Sequence, residues 1–293
     1  MKNFWLQLWG LFLLAGLGLL AMAVIMFVGN LTGVSGSPVL YLHLVQWAQT
    51  LFMMTAVPLA WTWFFYVRGR VVADGSSVWR ETLANVRLLH VRPAHLVLAA
   101  ALTVAMLPLS DAVEVACTRL PMPDGVREYC EEGFLQNQRV LAVVLQLDGV
   151  WGWAELFLLM CLGTAVGEEL MFRGALLNCF VRGGGVRWHV AAWLVGLIFA
   201  LIHFEPMGLI PRWLLGTLFA YLVWWSGSLW PGVVAHCINN LVALVSYKMA
   251  SADELMSLDR DFTFGPMLIA CSAVVTVLLI ALFYRMRVEK VDC

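Results

Sequence analysis

Long apolar runs dominate this chain of 293 residues and limit what it can fold into. A helix that crosses a bilayer needs about 20 mostly apolar residues, and the chain has a succession of such segments. Hydrophobic residues make up 62% of the sequence and charged residues 13%, whereas a soluble domain carries about 25% charged residues. So few charges cannot cover a water-exposed surface, which excludes a soluble enzyme and a disordered chain. We predict an all-α, polytopic membrane protein whose helices form a core bundle around a polar cavity.

The hydropathy pattern predicts about eight transmembrane helices. They are expected at residues 6–28, 40–66, 94–116, 150–181, 189–205, 208–226, 230–248 and 265–285. The polar, acidic region 118–139 is interpreted as a loop with room for one surface helix. The first apolar run is longer than the roughly 7–15 residues of a signal peptide, so we interpret it as an uncleaved anchor. Three spans and the polar loop then form an N-terminal membrane region, 1–139, and five spans form a core, 140–293.

Positive charges between the spans predict the orientation, because cytoplasmic connections are richer in Lys and Arg. The predicted cytoplasmic set is Lys2, Arg68, Arg70, Arg80, Arg87, Arg92, Arg182, Arg187, Arg285, Arg287 and Lys290, and the opposite set is Arg119, Arg127, Arg139, Arg212, Lys248 and Arg260. Both termini are therefore expected in the cytoplasm, with acidic loops at 128–132 and 253–261 outside, and the cytoplasmic membrane of a bacterium is the expected location. The net charge of −1 gives no reason to expect a nucleic-acid partner.

Ionisable and amide side chains inside the spans are concentrated between residues 168 and 240. Such groups are unfavourable in a bilayer and usually face a protein interior or a water-filled cavity. In the fourth span, Glu169 lies four residues before Arg173, a favourable spacing for a helical ion pair. Glu168 is rotated by about 100° from Glu169 around the helix, so one carboxylate is expected to be neutralised and the other available. An ion-pair network that only holds helices together remains a structural alternative.

Two further polar groups lie in the fifth and seventh predicted spans. His203 is near the end of the fifth, and His236 and Asn240 share one face of the seventh at a spacing of four. Both groups could also serve packing or hydrogen bonding between helices. Counted from the cytoplasmic ends of their spans, Glu168 and His203 lie roughly 20 Å deep, and His236 and Asn240 roughly 9 and 15 Å. This similar depth favours one shared site.

One carboxylate, two imidazoles and an amide are sufficient for hydrolysis of an amide bond by water. Glu168 could act as the general base, with His203 holding and polarising the water. His236 and Asn240 could donate hydrogen bonds to the developing oxyanion. Two His and one Glu are also a common set of catalytic zinc ligands, so Glu168, His203 and His236 are the candidate ligands if the site binds zinc. The chain has no His-Glu-x-x-His helix, and a site without a metal or other cofactor is favoured.

These motifs resemble those of a known family, the intramembrane proteases of the CAAX prenyl protease 2 type, also called the CPBP family. The family pattern is Glu-Glu-x-x-x-Arg, then Phe-x-x-x-His, then His-x-x-x-Asn, on successive core helices. The matching residues are Glu168, Glu169 and Arg173; Phe199 and His203; and His236 and Asn240, with Gly174 after the arginine. The resemblance covers about residues 150–248 and leaves the first three spans unidentified. It implies that Glu168 activates water together with His203.

The same resemblance implies further roles and a class of substrate. His236 and Asn240 would form the oxyanion site. Arg173 would orient the glutamates, most directly Glu169. Family members in eukaryotes remove the last three residues of prenylated proteins, and many bacterial relatives have other or unknown substrates, including roles in bacteriocin self-immunity. A peptide or protein substrate, which can itself be anchored in the bilayer, is therefore the expected partner.

Two other classes of function remain open on the sequence. A catalytically silent scaffold or immunity protein could bind a partner through the same cavity. A transporter could use the carboxylates as an ion relay, but transporters typically show inverted repeats and broken paired helices, which we do not find in the sequence.

Two pairs of small residues give local predictions. Gly163 and Gly167, four residues apart, predict close packing of the fourth span on a neighbour, although ordinary span composition would also supply them. Cys117 and Cys130 flank the polar loop and could pair if the loop faces an oxidising compartment.

Overall fold

The computed structural model describes residues 2–69, 77–251 and 262–288, which form helices joined by short connections, with no strand among them. The helices of eight or more residues in these ranges are α1 Lys2–Leu31, α2 Pro38–Val67, α3 Val78–Asn85, α4 Pro93–Thr118, α5 Asp124–Val144, α6 Gly149–Gly183, α7 Trp188–Leu201, α8 Leu209–Ser226, α9 Trp230–Met249 and α10 Pro266–Arg285. The predicted all-α fold class is confirmed. Arg70, Arg260, Lys290 and the predicted acidic loop 253–261 lie outside the described residues.

Each predicted span overlaps a helix, although the fifth, predicted at 189–205, ends at Leu201. Among the described residues, six helices are long and apolar enough to cross a membrane: Phe4–Leu31, Pro38–Val67, Pro93–Thr118, Gly149–Gly183, Pro206–Ser226 and Pro266–Arg285. α7 is apolar but has 14 residues, which gives about 21 Å against a hydrocarbon core of about 30 Å. α9 has 20 residues but carries His236, Asn239 and Asn240, which lower its hydropathy. The protein is a multi-pass membrane protein, and full crossing by α7 and α9 stays a prediction.

The region before the fourth span is mainly helix rather than mainly loop. α5 has 21 residues and extends the single surface helix that we expected there. Phe134 and Val144 on it are buried while Tyr129 is exposed, as in an amphipathic helix. α5 packs against α2 and against the turn between α7 and α8. Cys117 and Cys130 are buried and free, so the pairing considered for them is not present.

The N-terminal region packs closely against α6, the helix that carries the glutamates. A Cβ atom on Gly167 would lie 2.8 Å from Cβ of Met54, and one on Gly163 would lie 3.4 Å from Cγ2 of Thr50. Any larger residue at Gly167 would push α2 away from α6. The predicted close packing at these two glycines is confirmed, and α2 is the neighbour.

Both α2 and α6 contain stretches of wider, π-type turns. These stretches are Gln49–Ala56 and Trp63–Val67 in α2, and Phe157–Gly163, Leu170–Leu176 and Cys179–Gly183 in α6. The hydroxyl of Thr55 donates to the carbonyl of Thr50, five residues earlier, at 2.8 Å. Local π turns often occur at functional sites. In α6 they bracket Thr164–Glu169, the α-helical turn that presents both glutamates.

Candidate active site

A fully buried ion pair lies on α6. Nη1 of Arg173 donates to Oε1 of Glu169 at 2.7 Å, and both side chains are 0% exposed. The spacing of four residues places the two side chains on one helix face. Nη2 of Arg173 donates to the carbonyl of Gly216 on α8, also at 2.7 Å. The guanidinium therefore neutralises Glu169 and ties α6 to α8, as a buried charge requires.

Aromatic rings from two other helices enclose this ion pair. The guanidinium of Arg173 lies 4.9 Å from the ring centroid of Phe199 on α7 and 5.6 Å from that of Phe219 on α8. Cations bind the faces of such rings electrostatically. The imidazole of His236 stacks on Phe219 with centroids 5.3 Å apart. The rings thus hold α6, α7, α8 and α9 together at one place.

His236 connects α9 to both glutamates. Its Nδ1 lies 3.1 Å from Oε1 of Glu169, within hydrogen-bond distance, and its Nε2 lies 3.6 Å from Oε2 of Glu168, which is longer than a hydrogen bond. Because the carboxylate of Glu169 can only accept, we assign the proton of this contact to Nδ1. The second oxygen of Glu169, Oε2, lies against Gly232, where a Cβ atom would approach it to 2.9 Å. The carboxylate of Glu169 is therefore closely packed against α9.

Glu168 has more access to its surroundings than its neighbour. Its side chain is 13% exposed, against 0% for Glu169. Its Oε2 receives no hydrogen bond from the described residues. Oε2 of Glu169 also receives none, but Oε1 of Glu169 already accepts from Arg173 and His236. Of the two carboxylates, Glu168 is therefore the one that is not bound to an arginine and is free to accept a proton.

His203 lies in the turn that follows α7. Its Nδ1 donates to the carbonyl of Phe199 at 2.7 Å, which leaves Nε2 as the proton-accepting nitrogen of the ring. Its ring contacts the ring of Phe199, with centroids 4.9 Å apart, and the same phenyl ring lies 5.8 Å from His236. Within the described residues no hydrogen bond joins His203 to Glu168. Their cooperation through a shared water stays a prediction.

Asn240 faces α6 about one helical turn after His236. Its Nδ2 donates to the carbonyl of Met160 at 3.0 Å. Met160 precedes Glu168 by eight residues, or roughly 12 Å along the helix. The structure thus brings together Glu168, Glu169, Arg173 and His236, places His203 beside them through Phe199, and binds Asn240 to the backbone of α6.

Two charged residues of this region are absent from the three motifs. Arg212, in the first turn of α8, forms an ion pair with Glu205 in the turn after α7. Arg212 also lies close enough to interact electrostatically with Glu168 and His203. The signal that could have identified it is its place at the start of an apolar span, at a depth similar to that of His203. No sequence pattern could have identified the aromatic and glycine contacts of the site, because these contacts depend on which helices are neighbours.

Glu168, His203 and His236 are the candidate ligands if the site binds zinc. In the parts of the chain that the structure describes, no three His, Cys, Asp or Glu side chains are grouped so that they could hold a metal. Nδ1 of His236 is bound to Glu169, and Nε2 faces Glu168. Nδ1 of His203 is bound to a backbone carbonyl. Metal-ligating histidines also make such contacts through their second ring nitrogen, so the preference for a site without a metal stays a prediction.

Comparison with known proteins agrees with the motifs. Residues 150–242 match a protein-family model described as type II CAAX prenyl endopeptidase, Rce1-like. This stretch contains all three motifs, and the match confirms the resemblance to the CAAX protease family. The first three spans lie outside the matched residues. No curated protein and no solved structure matches the chain significantly.

Proposed function

We propose that the chain is an intramembrane endopeptidase in which Glu168 and His203 activate a water molecule. The observation that carries this proposal is the buried network in which Arg173 and His236 both bind Glu169 and leave Glu168 as the accessible carboxylate. Ionisable groups at membrane depth are unfavourable and mark functional sites. The family match supports a CAAX-type protease and a peptide or protein substrate in the membrane.

Glu168 is the general base of the proposed reaction. A water held between its carboxylate and Nε2 of His203 gives a proton to Glu168 while the water oxygen attacks the carbonyl carbon of the scissile peptide bond. When the tetrahedral intermediate collapses, the carbon–nitrogen bond breaks and Glu168 passes the proton to the leaving amine. The products are a carboxylic acid and an amine, as hydrolysis requires.

The oxyanion of the intermediate needs hydrogen-bond donors at a fixed position. His236 serves as one donor through Nε2, since Nδ1 is already held by Glu169. Because Nδ1 already donates to Glu169, donation from Nε2 requires that both ring nitrogens carry a proton. Asn240 supplies a second donor through the amide hydrogen that is not bound to Met160. Glu169 and Arg173 act by orienting His236 and do not touch the substrate.

Glu168→Gln and Glu169→Gln form a matched pair of variants that tests this assignment. Glu168→Gln should lower cleavage of membrane-anchored reporter peptides by about 10²–10⁴-fold, because it removes the base. It should still fold, since Glu168 is bound to no arginine. Glu169→Gln should reduce cleavage less and lower thermal stability more, because it removes the partner of Arg173. His203→Gln should resemble Glu168→Gln.

Two results for Glu168→Gln would contradict this proposal. If purified Glu168→Gln cleaves the reporter as fast as the wild type, the assignment of the base is wrong. If Glu168→Gln retains full cellular function while the wild type cleaves no reporter, the protein is a scaffold or immunity protein that binds through the same cavity.

The proposed mechanism uses no metal. Dialysis of the purified protein against a strong chelator, followed by metal analysis, should leave cleavage unchanged. The Glu168→Gln variant in the same buffer provides the background rate. Cleavage that is lost on chelation and restored by zinc would replace the glutamate mechanism by a zinc mechanism.

We also infer a bacterial cytoplasmic membrane as the location, with both termini in the cytoplasm. The support is the excess of Lys and Arg in the connections assigned to that side. Reporter fusions at the two termini should both be active in the cytoplasm, and activity of either fusion outside would contradict this orientation.

A further inference from the structure

The turn between α7 and α8 carries His203. α7 has 14 residues, so its two ends are about 21 Å apart. Trp188 at its start stacks on Trp224 near the end of α8, with ring centroids 3.8 Å apart, so the two helices share that end of the pair. The turn lies at the opposite end of this pair, about 21 Å along α7 from the stacked rings. α4 and α5 pack against this turn.

The backbone of the turn adopts a conformation that needs support. Phe204, the residue after His203, has φ +51°, in the left-handed region. Non-glycine residues are uncommon there and persist where surrounding contacts hold them. The side chain of Phe204 is 82% exposed, so its own packing does not provide that support. Contacts elsewhere in the turn must therefore keep His203 in place.

An ion pair spans the turn. Nη2 of Arg212 binds the carboxylate of Glu205, and Nη1 reaches the carbonyl of the same residue at 3.5 Å. Glu205 is two residues after His203, whereas Arg212 belongs to the regular helix α8. Gly208 lies beneath the guanidinium, and a Cβ atom there would collide with it. The side chains of Arg212 and Glu205 are only 28% and 19% exposed, so solvent screens this pair less than a surface pair.

The guanidinium is also part of the electrostatic surroundings of the site. Arg212 interacts electrostatically with both Glu168 and His203. The ring hydrogen bond of His203 to the carbonyl of Phe199 fixes the rotation of the imidazole but not the course of the turn. We propose that Arg212, through its ion pair with Glu205, is a positioning residue that keeps His203 beside Glu168.

This role rests on the proposed function and predicts a specific kinetic defect. Displacement of a reacting group by about 1 Å can lower a rate about 100-fold. Loss of the ion pair should therefore lower kcat. KM should stay nearly unchanged, because Arg212 acts through His203 and does not contact the substrate in this proposal.

The test compares variants of the full chain in liposomes with membrane-anchored reporter peptides. Arg212→Ala and Glu205→Gln should each lower kcat about 10- to 100-fold. The double variant should lose no more than either single variant, because both changes remove one interaction. Arg212→Lys should retain part of the activity, since it keeps the charge but not the two-pronged contact. Arg127→Ala is the matched control, because Arg127 pairs with Glu131 on exposed α5 at 3.9 Å.

A second measurement does not depend on cleavage. The imidazole NMR signal of His203, assigned by its loss in His203→Gln, should shift in Arg212→Ala and stay unchanged in Arg127→Ala. An unchanged His203 signal would overturn the proposal. So would wild-type kcat in Arg212→Ala, or a loss of activity that only matches the loss of folded protein.

The two proposals fail in different ways. If the wild type and Glu168→Gln cleave equally, the proposed function fails, and the NMR signal still decides whether Arg212 positions His203. If cleavage depends on Glu168 but is unaffected by Arg212→Ala, only the positioning role fails.

Discussion

The two halves of the candidate site are built in different ways. At the contact between α6 and α9, the side chains of Glu169, Arg173 and His236 are at most 5% exposed and bind one another. In the turn between α7 and α8, His203 is only partly buried, and its ring makes one hydrogen bond to the described residues, to the backbone of α7. The first half owes its geometry to four packed helices, whereas the second depends on a few contacts across one turn.

The difference follows from where the charges lie. A buried charge is stable only when it is paired and hydrogen-bonded. Loss of one partner in the first half therefore destabilises the groups that remain. Loss of a contact between partly exposed groups lowers stability less, because water can replace the lost hydrogen bond. Regions with fewer buried contacts open at lower free energy than the core. We therefore expect the turn to adjust during substrate binding and the α6–α9 contact to stay rigid.

Arg173→Met should break the buried half and have the largest effect. It leaves the carboxylate of Glu169 without its arginine and the carbonyl of Gly216 without its donor, and removing one partner of a buried pair typically lowers stability by about 3–5 kcal/mol. Thermal unfolding in lipid nanodiscs measures this loss. The double variant Glu169→Gln/Arg173→Met should recover part of it, because no charge is then buried alone. A single variant as stable as the wild type would show that the pair is not buried.

Gly232→Ala should disturb the same half through packing alone. The added methyl group would lie 2.9 Å from Oε2 of Glu169, so the carboxylate must move away from His236, at a cost of about 1–3 kcal/mol in the free energy of unfolding. Cleavage should fall as well. Gly133→Ala on α5 is the control, since nothing lies within 4 Å of a Cβ atom there. Equal stability of the two variants would mean that the fit around Glu169 is loose.

Phe204→Gly should change the turn half and have the smallest effect. Glycine adopts the positive φ of this position without strain but loses more conformational entropy on folding, so the two effects offset each other to within about 1 kcal/mol. Phe204→Val should lower stability more, because a β-branched residue is a poor fit at positive φ. Chemical unfolding of both variants tests this order. A valine variant as stable as the glycine variant would contradict the left-handed backbone at this position.

Part of the site could be predicted because helices repeat regularly. A spacing of four residues indicated that Glu169 and Arg173 share one helix face, and the structure contains that ion pair. The same rule placed His236 and Asn240 on one face, and both contact α6. It could not show that Asn240 binds a backbone carbonyl, because that contact depends on the neighbouring helix.

Other features depend on how the helices are arranged. The hydropathy pattern did not show that α7 ends after 14 residues, which places His203 in the turn after the helix rather than within it. It also did not show the full length of α5, because a polar amphipathic helix has no continuous apolar run. Arg212 and Gly232 had no motif to identify them, since their importance comes from their contacts with Glu205 and Glu169.

The sequence by itself determined that the chain is a bundle of membrane helices and that its few ionisable groups mark one candidate site. Both conclusions depend on properties of single helices. Apolar side chains are favourable in lipid and ionisable ones are not, and the helical repeat shows which side chains share a face. Only the tertiary structure decided which carboxylate is neutralised, which histidine lies between the two glutamates, and what holds the turn that carries the other histidine. The physical reason is that these contacts join different helices, and helix packing depends on the shapes of all the side chains in the contact rather than on any local spacing.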